Sequence, residues 1–234
     1  MMYPITFVSL GPGEAELITL KGLKTLQSAD RIFYPATISK DGVQTSRALD
    51  ILSELDIDAN KLVPFHVPMS KDRSLAIDAY NAVSEEIKKQ YKTGQRICVV
   101  AEGDSGFYSS IQYIFDNLSD SDFPVERIAG IPAFIASGAL AKIHIVKQEE
   151  ELNVVPGIIS ASDLKERIES GKVVVIMKVS QCAEAIKECI CEKLDATYHY
   201  FENVGVDGKE YYTKNTSDIL DRKIPYFSLM IIHK

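Results

Sequence analysis

No apolar run in this 234-residue chain approaches the roughly 20 residues that a membrane span needs. No N-terminal stretch has the basic start, apolar middle and small-residue cleavage site of a secretory signal. Cysteine is sparse, and the spacing of Cys98, Cys182, Cys189 and Cys191 forms no disulfide framework. These absences lead to the expectation of a cytoplasmic protein in a reducing compartment. The histidines His66, His144, His199 and His233 are scattered without metal-ligand spacing, so no metal site is expected. Cys182 and Cys189 share a face of a predicted helix and Cys191 does not, which suits structural thiols better than a ligand set. Positive charge is also short. There are 26 Lys and Arg against 33 Asp and Glu, a formal net charge of −7. An acidic surface repels nucleic acid and anionic lipid and favours a small-molecule partner.

Hydrophobic residues make up 46% of the chain and charged residues 25%, enough to fill a core. Residues 3–10 read as a buried strand that breaks into Gly11-Pro12-Gly13. A helix is expected over 14–29, with Leu17, Leu20, Leu23 and Leu26 along one face, then a short strand at 31–34. A long helix over 73–93 stops at Gly94, and the apolar run 97–101 is a strand buried on both faces. Further helices are expected over 107–118, 132–141, 161–170 and 181–194. Strands are expected over 173–177, 196–201 and 226–232, with a hairpin arm in 205–213. Alternating strands and helices indicate α/β architecture. The break between 122 and 123 is the expected domain boundary, giving units 1–122 and 123–234.

Three loops carry the candidate chemistry. The first, Ser9-Leu10-Gly11-Pro12-Gly13-Glu14, lacks the G-x-G-x-x-G spacing of a dinucleotide loop. Pro12 offers no N–H to an anion, and Glu14 and Glu16 place carboxylates at the expected helix start, where a phosphate would sit. No G-K-[ST] occurs, which excludes a P-loop. The second, Glu102-Gly103-Asp104-Ser105-Gly106, stands at the end of the most apolar strand, where open α/β sheets bind ligands. Its carboxylates suit a cationic sulfonium and oppose a triphosphate. Asp104 is placed either to accept from ribose hydroxyls or to cap the next helix. The third, Ala129-Gly130-Ile131-Pro132-Ala133, leads into a helix rich in small residues, and a tight structural packing role is the simpler alternative.

Taken in order, Gly11-Pro12-Gly13-Glu14, Gly103-Asp104-Ser105, Gly130-Ile131 and Val175-Ile176-Met177-Lys178 resemble the tetrapyrrole (corrin/porphyrin) methylase family. Within it, Pro68-Met69-Ser70-Lys71-Asp72, Phe107-Tyr108-Ser109-Ser110 and Pro225-Tyr226-Phe227-Ser228 resemble the branch that methylates precorrin-2 or cobalt-factor II at C20. Two positions depart from the pattern: Ser105 and Ala129 stand where the family has proline. The resemblance implies a class III methyltransferase fold, two α/β domains with the cofactor cleft between them, and a homodimer. It implies S-adenosyl-L-methionine as methyl donor and a tetrapyrrole substrate in cobalamin biosynthesis. Pro12, Gly103, Asp104, Phe107, Pro132, Ala133, Met177 and Val204 would contact the cofactor, with Glu102 adding negative charge. Lys71, Arg73 and Lys178 are expected to meet the substrate carboxylates, and the proton-accepting base stays unassigned. Other family activities (C11 or C17 corrin methylation, diphthine synthesis) and a non-catalytic S-adenosylmethionine-binding homologue are the alternatives.

Overall fold

The computed structural model describes residues 3–38, 42–68 and 73–234. It contains two compact units, Met1–Pro132 and Ala133–Lys234. In the first, the elements run β1 (Ile5–Ser9), α1 (Leu20–Ser28), β2 (Arg31–Ile38), β3 (Gln44–Thr45), α2 (Arg47–Glu54), β4 (Leu62–His66), α3 (Arg73–Lys92), β5 (Ile97–Ala101), α4 (Gln112–Ser119) and β6 (Val125–Ile128). The strand order is β3-β2-β5-β1-β6, with β4 also paired to β2. All pairings are parallel except that of β3.

Every residue of β1 and β5 is buried, as a strand covered on both faces requires. Side-chain alternation divides their contacts. Val8, Cys98 and Val100 pack toward α1 and α2 with Leu26, Ile51 and Leu52. Phe7, Ile97 and Val99 pack toward α3 and α4 with Ile87, Tyr91 and Ile114. The unit ends at Pro132, beyond the 122/123 break read from the sequence, because β6 pairs in register with β1.

The second unit runs α5 (Ala133–Ala141), β7 (Leu152–Val155), α6 (Ala161–Glu169), β8 (Val173–Met177), α7 (Ala183–Cys191), β9 (Thr197–Glu202), β10 (Tyr211–Thr213), α8 (Thr216–Asp221) and β11 (Ser228–His233). The sheet order is β10-β9-β11-β8-β7. β7 and β8 are parallel, while β11 lies antiparallel between β8 and β9. One sheet face, with Val174, Ile176, Tyr200 and Met230, packs on Leu164, Ile186 and Ile219 from α6, α7 and α8.

The helix expected over 14–29 is two pieces. A 3-10 turn at Ala15–Leu17 ends in extended Ile18, and α1 begins only after Thr19, whose hydroxyl accepts from Gly22 N. The leucine stripe does not hold as one face. Steps of three residues drift around a helix of 3.6 residues per turn, leaving Leu26 buried and Leu20 66% exposed. The helix expected over 107–118 starts late, at Gln112, after a series of turns.

Candidate active site

Loop 1 leaves β1, loop 2 leaves β5 and loop 3 leaves β6, all at the carboxyl edge of one parallel sheet, where such sheets hold ligands. The backbone then knits them together. Gly11 N donates to Gly103 O at 3.1 Å, and Gly103 N donates to Gly11 O at 2.5 Å. Both glycines have positive φ, +84° and +66°, which excludes most side chains there. Loop 2 is tied to loop 3 by Asp104. Its Oδ2 accepts from Gly130 N at 2.7 Å, while Oδ1 accepts from Gly106 N at 2.8 Å. Asp104 therefore does not cap α4, whose N-cap is Ile111 with no side-chain bond. At Gly103 an added Cβ would meet only the Pro132 Cα, 4.0 Å away, so the space before the loop is open.

Glu102 follows Val100 by strand alternation and faces α2. Its carboxylate lies beside the Arg47 guanidinium and accepts from the Ala48 N–H in the first turn of α2. Burial raises its pKa above the ordinary carboxylate range, and the helix N–H and Arg47 offset this only in part. Burial likewise lowers the Arg47 pKa. Arg47 carries no motif, so only the fold reveals it as the partner of Glu102. Pro12 is buried, and Phe107 is half-buried with its ring edge-on to Tyr108 at 4.7 Å. Glu14 is exposed and Glu16 lies on the 3-10 turn, so the first turn of α1 holds no carboxylate, contrary to the sequence expectation. Pro12 still denies that loop one N–H.

In the second unit, Met177 ends β8 and Val204 follows β9, at the same sheet edge on either side of β11. Gly157 fixes the edge near Met177, because a Cβ there would lie 2.4 Å from Met177 O. Val204 is buried between Asn203 and Gly205, both with positive φ. Asn203 N donates to Phe227 O at 3.0 Å, and Gly205 N to Glu210 Oε1 at 2.7 Å. The turn is anchored from below by Glu202, which accepts from Arg222 on both carboxylate oxygens and from Tyr200 OH at 2.6 Å. Burial opposes the charged form of Glu202, but the bonds from Arg222 and Tyr200 outweigh it and hold the carboxyl below its usual range.

Ala133 opens α5, and Lys178, at φ +57°, follows Met177 into a short 3-10 turn. Lys71 lies outside the described residues, and Arg73 begins α3. Cys182 and Cys189 sit in the core beside Ile186, with burial raising both thiol pKa values, and Cys191 is exposed. His199 is buried with Nδ1 2.9 Å from Tyr212 OH. The sequence reading also missed Ser9, a fully buried hydroxyl at the foot of all three loops.

Residues 4–220 match the family model described as Tetrapyrrole (Corrin/Porphyrin) Methylases. The chain is 29% identical to a precorrin-2 C(20)-methyltransferase of Sinorhizobium sp, covering 96% of this chain and 93% of the relative. It is 28% identical to a probable cobalt-precorrin-2 C(20)-methyltransferase of Methanocaldococcus jannaschii, covering 76% and 74%. Its fold matches uroporphyrin-III C-methyl transferase from Thermus thermophilus, solved with S-adenyl homocysteine. The TM-score is 0.67 at 15% identity, over 99% of this chain and 92% of that one.

Proposed function

The chain belongs to the tetrapyrrole (corrin/porphyrin) methylases, and from that premise we propose that it methylates C20 of precorrin-2 or its cobalt chelate. S-adenosyl-L-methionine is the methyl donor. One observation carries the donor assignment: three glycine loops joined at one sheet edge, with two carboxylates among them and no P-loop. Phosphate sites need free N–H groups and cationic side chains. Here Gly103 N and Gly130 N are already spent on protein oxygens, and the acceptor beside them is the Asp104 carboxylate. Negative charge suits a sulfonium cation. The C20 position and the substrate are supported by the likeness to the two C(20)-methyltransferases.

In the first unit the cofactor residues are Pro12, Glu102, Gly103, Asp104, Phe107 and Pro132. In the second they are Ala133, Met177 and Val204. Lys71, Arg73 and Lys178 are the proposed partners of the substrate carboxylates. The bound donor supplies an electrophilic methyl group on positive sulfur. A reduced tetrapyrrole meso carbon is enamine-like and nucleophilic, so the protein mainly orients the two, an effect worth about 7–11 kcal/mol. A positioned base for the departing meso proton adds roughly 10²–10⁴-fold. A cytoplasmic homodimer completes the reading. Light scattering of the purified protein tests the dimer.

Incubation with labelled S-adenosylmethionine and precorrin-2 or cobalt-factor II tests the function. The expected result is one methyl group gained by the tetrapyrrole, read by mass spectrometry. An unlabelled tetrapyrrole under conditions where the protein binds the donor overturns it.

A further inference from the structure

Ser9 is the last residue of β1, a strand otherwise composed of Ile5, Thr6, Phe7 and Val8, and it is 0% exposed. A buried hydroxyl must find partners. Ser9 Oγ finds them on both other loops. It accepts from Ser105 N at 2.8 Å, and it donates to Ile128 O, just before loop 3, at 2.7 Å. The Ser105 hydroxyl, itself fully buried, lies 3.0 Å away. The contact continues through carbon, since a Cβ on Gly130 would fall 2.4 Å from Ser9 Cβ. One side chain thus touches the origin of loop 1, the backbone of loop 2 and the root of loop 3.

Position 105 is where the related pattern has proline. Proline fixes φ by its ring and has no N–H to satisfy. Serine brings a free φ and a buried N–H donor. Both consequences are met by a single acceptor, Ser9 Oγ. We propose that Ser9 is a positioning residue for the donor loops, and that its bond to the Ser105 N–H replaces the constraint a proline would give. The inference rests on the assignment of these loops to the methyl donor.

The pair makes the two residues interdependent. Ser105→Pro removes the N–H and puts its ring Cδ where that hydrogen pointed, against Ser9 Oγ, so the proline restraint fits only once Ser9 is also shortened to alanine. Ser105→Ala keeps the N–H and loses only the weaker hydroxyl contact. The test measures S-adenosylhomocysteine affinity by calorimetry, with KM and kcat for the methyl donor. Ser105→Pro is expected to weaken binding at least tenfold, and Ser105→Ala no more than threefold. Ser9→Ala is expected to raise donor KM about tenfold with kcat at saturation within twofold. Adding Ser105→Pro to Ser9→Ala should cost nothing further. A purely structural role would instead lower kcat through loss of folded enzyme and leave KM unchanged, which overturns the proposal. Equal affinities for Ser105→Pro and Ser105→Ala overturn it too, and that comparison stands even where Ser9→Ala fails to fold. A wild-type protein that does not bind S-adenosylhomocysteine overturns the donor assignment itself.

Discussion

A methyl group at position 130 would lie 2.4 Å from Ser9 Cβ and 2.7 Å from Gly103 O. Neither neighbour is the free end of a flexible chain, so loop 3 would have to move away from loop 2. Gly130→Ala should therefore cost about 1–3 kcal/mol in urea unfolding, the usual range for overpacking. It should also abolish measurable S-adenosylhomocysteine binding. Glu102 makes donor binding depend on pH. Burial raises its pKa, so the neutral acid accumulates as pH falls toward the ordinary carboxylate range. A neutral acid does not attract a sulfonium. Affinity for S-adenosylmethionine should fall with pH more steeply than affinity for the uncharged-sulfur product, and Glu102→Gln should remove the difference. Equal slopes in the wild type would place Glu102 outside the reach of the donor. The glycines and acids of these loops were legible because turns and strand ends restrict residue choice. Ser9 and Arg47 were not. A serine in an apolar strand and an arginine at a helix start carry no pattern until the chain brings them to their partners.

Elements divide by how strongly burial marks them. β5 and β8 were legible because they are continuously apolar runs, and β1 because it is buried throughout and interrupted only by Thr6 before its closing Ser9. β6 was not, because Val125-Glu126-Arg127-Ile128 is an edge strand. Glu126 accepts from Thr6 Oγ1 at 2.9 Å, and the Arg127 guanidinium lies 4.2 Å over the Phe115 ring. Those contacts are long-range, so a local reading sees only two charges. That single strand moves the unit boundary to Pro132. In the second unit, the turn bearing Val204 depends on the pair at the end of β9 and after α8. Glu202 is 7% exposed, and Arg222 covers it while stacking 3.6 Å over Tyr211. Removing one partner of a buried pair leaves an uncompensated charge. Arg222→Met should destabilise this unit by about 1–3 kcal/mol, because Arg222 itself is 35% exposed and water reaches the pair. The double variant with Glu202→Gln should recover most of the loss, as a thermal melt would show.

At the scale of the whole molecule, acid should act on the second unit. His199 is buried, and burial, with His233 and Lys214 nearby, lowers its pKa to about 4. The unfolded chain binds its proton near pH 6.5, the folded chain only near 4, so between these values the unfolded state holds more protons. Stability of this unit therefore falls as pH drops through that window and levels off below it. Replacing His199 by Asn should flatten the slope in denaturation followed from pH 7 to 4. Glu202, with a lowered pKa, adds a loss of the same sign as pH falls below the ordinary carboxylate value of 4.5.

The proposed reaction turns on one carbon. Methylation with S-adenosylmethionine carrying a ¹³C methyl group, followed by ¹³C NMR of the recovered tetrapyrrole, reads it directly. The expected result is a single new methyl resonance bonded to the C20 meso carbon of precorrin-2 or cobalt-factor II. A methyl at any other carbon would contradict the C20 assignment while keeping the family, and no methyl at all would contradict the enzyme.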